Sequence, residues 1–272
     1  MDMRNQNVLL TGASMGIGEA IANSLAREGA NLILLSRSED KLFKIAAKLN
    51  SAHTGAKCIY RTADISDYES VDEAVKSATE ELGSVDILIN NAGLALGAPN
   101  AFPDLNIKDI LTMNNTNVNG LMLTTYAVLQ HGMRKRGAGT ILNVTSVTGL
   151  EIPPFAGEAV YHANKACQEG FTNALRSELV GTNIRVLALR PGCVATNFHS
   201  QRVGHDKQMY EEFFDGYTGS PLEAKDIADA AIYMLKQPEH ISVKAMDVVP
   251  TAQRSLATFD REWDQRNNNT TS

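Results

Sequence analysis

Tyr161 and Lys165 stand four residues apart in the stretch from Val160 to Ala166, whose other residues favour helix. On a helix their side chains share a face. A phenol beside an ammonium group loses its proton more easily because the positive charge stabilises the phenolate, so Tyr161 is expected to serve as an acid/base near neutral pH. Fifteen residues earlier, Ser146 lies in Thr145-Ser146-Val147-Thr148-Gly149. Its hydroxyl suits the oxygen of a substrate carbonyl while Tyr161 supplies the proton.

The run Thr11-Gly12-Ala13-Ser14-Met15-Gly16-Ile17-Gly18 follows an apolar strand pattern and opens a helical one. Gly12 permits a tight turn, Gly16 a close backbone approach, and Gly18 tight packing of helix on sheet, so the segment reads as a dinucleotide pyrophosphate cradle built from Gly12, Ser14, Met15, Gly16, Ile17 and Gly18. The second strand ends at Ser36-Arg37-Ser38, without the acidic residue that would bind the ribose hydroxyls of NAD. A guanidinium flanked by hydroxyls fits a 2′-phosphate, so NADP is the expected cofactor, although Arg37 as a solvated residue and Ser38 as a helix cap are the plainer alternative. Asp64 and Ile65 are placed to meet the adenine, and Asn91, Ala92 and Gly93 leave room for a ribose. The segment Pro191-Gly192-Cys193-Val194-Ala195-Thr196 follows a later strand and offers backbone amides to a nicotinamide carboxamide.

The elements that must carry these residues are readable as short β-rich runs at 7–11, 31–36, 56–61, 86–90, 140–144, 185–190 and 245–249, separated by six helical segments. Strands alternating with helices imply a parallel sheet with helices on both faces, and near-continuous apolar runs such as Leu32-Ile33-Leu34-Leu35 imply strands buried on both sides. In such α/β sheets ligands gather beyond the carboxyl ends of the strands, where every motif above falls.

With 272 residues and 43% apolar composition the chain can bury a large core. It reads as one domain over 1–266, with a flap at about 197–220 and a polar tail at 267–272. A net charge of −6 argues against nucleic acid, and no apolar run reaches membrane-span length. The basic run Arg134-Lys135-Arg136 suits the end of a helix. Three scattered cysteines offer neither a disulfide framework nor a CxxC pair, and the histidines show no metal-binding spacing. A strand pattern already at residue 7 leaves little room for a leader, so a cytoplasmic location is expected.

Taken together, the TGxxxGxG, NNAG, Ser, YxxxK and PGxxxT elements resemble those of the short-chain dehydrogenases/reductases in order and spacing. The resemblance implies a Rossmann-like, doubly wound, seven-stranded α/β fold and a catalytic set falling on Asn117, Ser146, Tyr161 and Lys165. Asn117 would hold a water joining Lys165 to solvent. Lys165 would also lower the Tyr161 pKa and hold the nicotinamide ribose. A narrower resemblance, in the stretch from Asn91 to Gly97, in Pro154-Phe155-Ala156-Gly157, in Phe198 with Arg202, and in Val248 to Thr251, points to NADP-dependent 3-hydroxy acid dehydrogenases acting on serine and allo-threonine. Arg202 then becomes a candidate carboxylate clamp, and Glu158 a departure that either repels an acidic substrate or welcomes an ammonium. The alternative is a broad ketone, aldehyde or polyol reductase with Phe198, Met209, Phe213 and Phe214 forming the pocket; a non-enzymatic NADP-binding protein is the remoter one. The resemblance also suggests a homotetramer. The strip Leu121, Leu123, Val128 and Leu129 suits either an interface or the sheet-facing core.

Overall fold

A computed structural model describes residues 1–52, 55–152, 156–213 and 220–268. Seven parallel strands form the central sheet: β1 (Asn7–Thr11), β2 (Asn31–Ser36), β3 (Cys58–Thr62), β4 (Ile87–Asn90), β5 (Ala138–Val144), β6 (Asn183–Pro191) and β7 (Ala245–Val248). Their order is β3-β2-β1-β4-β5-β6-β7, so the winding reverses between β1 and β4. All seven expected strands are present. The third starts later than expected because Ala56 and Lys57 precede the pairing, which begins at Leu32 with Cys58.

Helices cover both faces: α1 (Gly16–Arg27), α2 (Glu39–Ser51), α3 (Tyr68–Leu82), α4 (Ile107–Asn114), α5 (Gly120–Val128), α6 (Arg134–Arg136), α7 (Ala159–Glu178), α8 (Asn197–Arg202), α9 (Lys207–Phe213), α10 (Ala224–Leu235) and α11 (Trp263–Asn268). Alternation along the strands decides which face each residue joins. Val8, Leu10, Ile87 and Ile89 pack with α1, α2 and α10, whereas Leu9, Leu88, Ile33 and Ile141 pack with α3, α5 and α7. Each fully buried leucine or isoleucine contributes about 1.5–3 kcal/mol of transfer free energy. Val128 and Leu129 belong to the second layer, which settles that part of the α5 strip as sheet-facing core.

A π-helical turn (Asn115–Asn119) joins α4 to α5 without a break in helical dihedrals, so the chain from Ile107 to Val128 runs as one long rod. The turn widens the helix where Asn117 enters the interior, a placement common at functional sites. The basic run forms α6 and ends at Gly137 in the left-handed conformation, as its composition suggested. After β7, a hairpin of β8 (Gln253–Ser255) and β9 (Thr258–Phe259) turns back toward the carboxyl edge of the sheet. It was not legible as strand, because each arm is three residues or fewer. Asp260 ties the hairpin to α11, donating its N–H to the Ala252 carbonyl and accepting from the Trp263 N–H. Among the described residues no helix is long and apolar enough to cross a membrane, and no His, Cys, Asp and Glu cluster could hold a metal ion.

Candidate active site

One cleft of about 510 Å³ opens along the carboxyl ends of the strands. It is lined by every residue expected to meet the cofactor, from the Gly12–Gly18 loop through Ser36, Arg37, Asp64, Ile65, Asn91, Ala92 and Gly93 to Pro191, Gly192, Val194 and Thr196. Ser146, Tyr161, Lys165 and Arg202 share the same cleft. Asn117 and Glu158 do not line it; both are buried behind its wall.

The glycine side of the cleft is clamped by polar side chains from two strands. Thr11 Oγ1 accepts from the N–H groups of Asn91 and Ala92 at 3.0 and 3.1 Å, and Asn91 Nδ2 donates to the carbonyls of Thr11 and Gly12. Gly12 holds φ +65°, and a Cβ there would stand 2.8 Å from the Ala92 Cα. A Cβ on Gly18 would lie 2.2 Å from the Gly12 oxygen. At the start of α1, Met15 supplies no side-chain cap, so the first-turn amides are left to an external acceptor. Arg37 extends beyond β2 with its side chain 61% exposed and 3.9 Å from the Asp64 carboxylate. Asp64 also accepts from the Ser66 N–H and hydroxyl. A pyrophosphate at the helix start and a phosphate at Arg37 therefore fit this cradle.

The opposite wall is made of buried side chains bonded to one another. Asn90 Nδ2 donates to Thr125 Oγ1 and Asn143 Oδ1, both at 2.9 Å, and Asn143 Nδ2 donates to Thr172 Oγ1 at 2.8 Å. Ser146 caps a short turn, accepting from the Thr148 N–H and, at 2.6 Å, the Thr148 hydroxyl. His162 reaches the Thr148 carbonyl from α7. The phenol of Tyr161 is buried, which pushes its pKa up to about 12; Glu158 adds to the rise, while Arg202 and hydrogen bonds with Ser146 and Thr148 oppose it.

One expectation needs correction here. Lys165 was expected to acidify Tyr161, but burial brings Lys165 itself down to about 7, against the pull of Glu169. Its Nζ donates to the Val144 carbonyl at 3.1 Å and to Gln168 Oε1 at 3.0 Å, and stands 5.6 Å from the Tyr161 ring centre. Asn117 was expected to hold a water joined to Lys165. In the structure its carbonyl accepts from Gln168 Nε2 at 2.6 Å, with a second lone pair left for such a water, and its side chain pairs with Leu94 in both directions. Gln168 escaped sequence reading because a glutamine in a helix belongs to no motif. Glu169 escaped it too; its carboxylate accepts from the Thr145 hydroxyl and from Arg190.

The substrate end is also rearranged relative to expectation. Glu158 was weighed as a group facing the substrate, yet it lies behind Arg202, with their side chains 3% and 5% exposed and 3.3 Å apart. Burial raises the Glu158 pKa, and Arg202 and His162 hold that rise back. The Arg202 guanidinium spans the rings of Tyr161 and Phe198, at 5.2 and 5.3 Å. Met209 is exposed and lies outside the cleft lining. Phe214, Pro154 and Phe155, the side chain of Phe213, and tail residues 269–272 lie outside the described residues.

With the geometry in place, comparison with known proteins is informative. A family described as short chain dehydrogenase matches residues 6–207. A sulfoacetaldehyde reductase of Chromohalobacter salexigens is 36% identical over 94% of this chain and 98% of its own length. An NADP-dependent 3-hydroxy acid dehydrogenase of Schizosaccharomyces pombe is 37% identical, covering 91% of this chain and 93% of its own. Among solved structures, the closed form of a serine dehydrogenase complexed with NADP+ superposes with a TM-score of 0.83 at 31% identity, covering 92% of this chain and 97% of that one.

Proposed function

This chain belongs to the short-chain dehydrogenase family, and from that premise we propose that it is an NADP-dependent oxidoreductase interconverting the hydroxyl and carbonyl forms of a small 3-hydroxy acid, such as serine or allo-threonine. The observation that carries the substrate class is Arg202, which brings a guanidinium into the cleft directly over Tyr161, where an acid head group two carbons from the reacting carbon could pair with it. Two of the three similar proteins described above are named for 3-hydroxy acids or serine, which supports the same class, and the third is named for sulfoacetaldehyde, another small acidic compound.

Bound NADP(H) supplies or takes up the hydride. The glycine loop and the start of α1 hold the pyrophosphate, Arg37 and Ser36 the 2′-phosphate, and Lys165 the nicotinamide ribose. Tyr161 Oη exchanges the proton with the substrate oxygen, and Ser146 Oγ donates to that oxygen as charge develops on it. A phenol whose pKa lies near 12 is protonated at neutral pH, which suits it to donate in the reductive direction. Asn117 serves by bracing the loop at Leu94.

A second reading, reduction of neutral ketones, is favoured by one observation: Glu158 already counters the charge of Arg202 inside the wall. The test is to follow nicotinamide absorbance with NADP(H) and NAD(H) in parallel, running serine and allo-threonine oxidatively and a 3-keto ester and an aryl ketone reductively. Oxidation of the hydroxy acids with NADP, lost in Arg202→Ala and shifted toward NAD in Arg37→Ala, is the expected result. Ketone reduction without hydroxy acid oxidation, unaffected by Arg202→Ala, would overturn the acid assignment. The same reading takes the protein as a cytoplasmic homotetramer; exposed Ile107, Leu111 and Tyr126 on the α4–α5 rod fit self-association through that face.

A further inference from the structure

Lys165 has its ammonium in a place where little else can hold it. Its helix delivers Nζ between β5 and the Asn117 turn, where the residue is buried but borders the cleft. Burial disfavours the charged form unless acceptors surround it. The first acceptor is the Val144 carbonyl, a fixed feature of any strand in that position. The second is the side chain of Gln168, one helical turn beyond.

Gln168 is itself locked. It is 2% exposed, its Nε2 donates to the Asn117 carbonyl at 2.6 Å, and its main-chain carbonyl accepts from the Thr172 hydroxyl. Because Nε2 is committed to a carbonyl, the opposite atom, Oε1, must face Lys165 as an acceptor. The amide orientation is thus imposed from the π-helical turn and passed to the lysine. An ammonium with two of its hydrogens so engaged presents the third toward Gly93 and the cleft, the side on which Tyr161 stands.

We propose that Gln168 is a positioning residue for the reaction, holding Lys165 in its protonated form and aiming it into the cleft. The other charged groups facing Lys165 do not remove the need for it. Glu169 raises the lysine pKa, but its carboxylate is already bound by Arg190 from β6 and by Thr145. Tyr161 is neutral at working pH. Val144, Gly93 and Asn117 carry no charge. Gln168 is therefore the one side-chain dipole, beside the main-chain carbonyl of Val144, that accepts from the ammonium. This inference rests on Lys165 and Tyr161 serving the oxidoreductase chemistry proposed above, but not on the identity of the substrate.

The experiment reads the titration of Lys165 directly, by NMR of protein carrying ¹³C-labelled lysine, with the signal assigned through its loss in Lys165→Met. Gln168→Leu removes the acceptor at similar volume, and the Lys165 titration is expected to fall by about one pH unit, the size of a lost hydrogen bond to a charged group. Gln168→Glu is nearly isosteric, replaces the dipole with a charge, and is expected to move the titration up by at least as much. The pH profile of kcat/KM, measured with whichever substrate the panel identifies, should move its lysine-dependent limb in the same two directions. Should Gln168→Leu fail to fold, the upward shift in Gln168→Glu still decides the matter. A Lys165 titration unmoved in Gln168→Glu, or moved in the same direction by both variants, overturns the proposal. A failure of the substrate assignment leaves the NMR titration untouched, so the two outcomes are separable.

Discussion

The two walls of the cleft are built on opposite plans. On the β1–β4 side the ligand-facing surface is backbone and glycine, clamped by Thr11 and Asn91, and the strands beneath are apolar on both faces. On the β5–β6 side the surface is made of side chains, Ser146, Tyr161 and Lys165, and behind Lys165 a bonded set of buried polar groups runs from Gln168 through Thr172 and Asn143 to Asn90 of β4. Among the described residues, only Thr11 and Asn90 of the buried polar positions fall in the first hundred. A wall made of main chain recognises a generic anion and suffers when atoms are added. A wall made of side chains sets protonation states and suffers when atoms are taken away.

The largest expected effect tests the second wall. Tyr161→Phe removes one oxygen and should cost at least about 10³-fold in kcat, the range of a lost general acid, while the NADPH Kd from fluorescence titration changes by less than about threefold. Turnover within tenfold of the parent would break the assignment of the acid. Next comes an addition to the first wall. Gly18→Ala places a Cβ within contact of the Gly12 carbonyl and should destabilise the fold by about 2–3 kcal/mol in urea unfolding, with weakened NADPH binding, although no side-chain bond is lost. A variant as stable and as tight as the parent would show that the loop yields.

The smallest effect is a slope with pH. Lys165 titrates near 7 in the fold and near 10.5 in the open chain, so between those values the unfolded state binds the extra proton. Stability should therefore be lost as pH falls from about 10 to 7 and level off below. Urea unfolding at pH 7 and 9.5 should show this difference in the parent and a smaller one in Lys165→Met. An equal slope in both would move its origin to other groups.

The first wall was the more legible of the two in sequence. Apolar runs such as Leu32 to Leu35 mark buried strands, and glycines at a strand end mark a backbone cradle, because both signals are local. The second wall was legible at Ser146, Tyr161 and Lys165, which share a motif order, and illegible where partners come from distant segments. Glu158 and Arg202 lie 44 positions apart, and only the placement of α8 against the head of α7 makes them a pair. The pKa reversal at Tyr161 and Lys165 was missed for a related reason: charge proximity can be read from spacing, but burial depends on what covers the pair. Gln168 combined both difficulties, as its partner at Asn117 is 51 positions away.

The hairpin after β7 also carries an optical consequence. Gln253, Leu256 and Phe259 line the cleft, and Asp260 couples their strands to the first residue of α11. That residue, Trp263, is the only tryptophan in the chain. Excitation selective for indole therefore illuminates a single residue, tied through its main chain to the hairpin that lines the cleft. Its emission can be read separately from the seven tyrosines, which makes it a single-site probe at the segment that follows the hairpin.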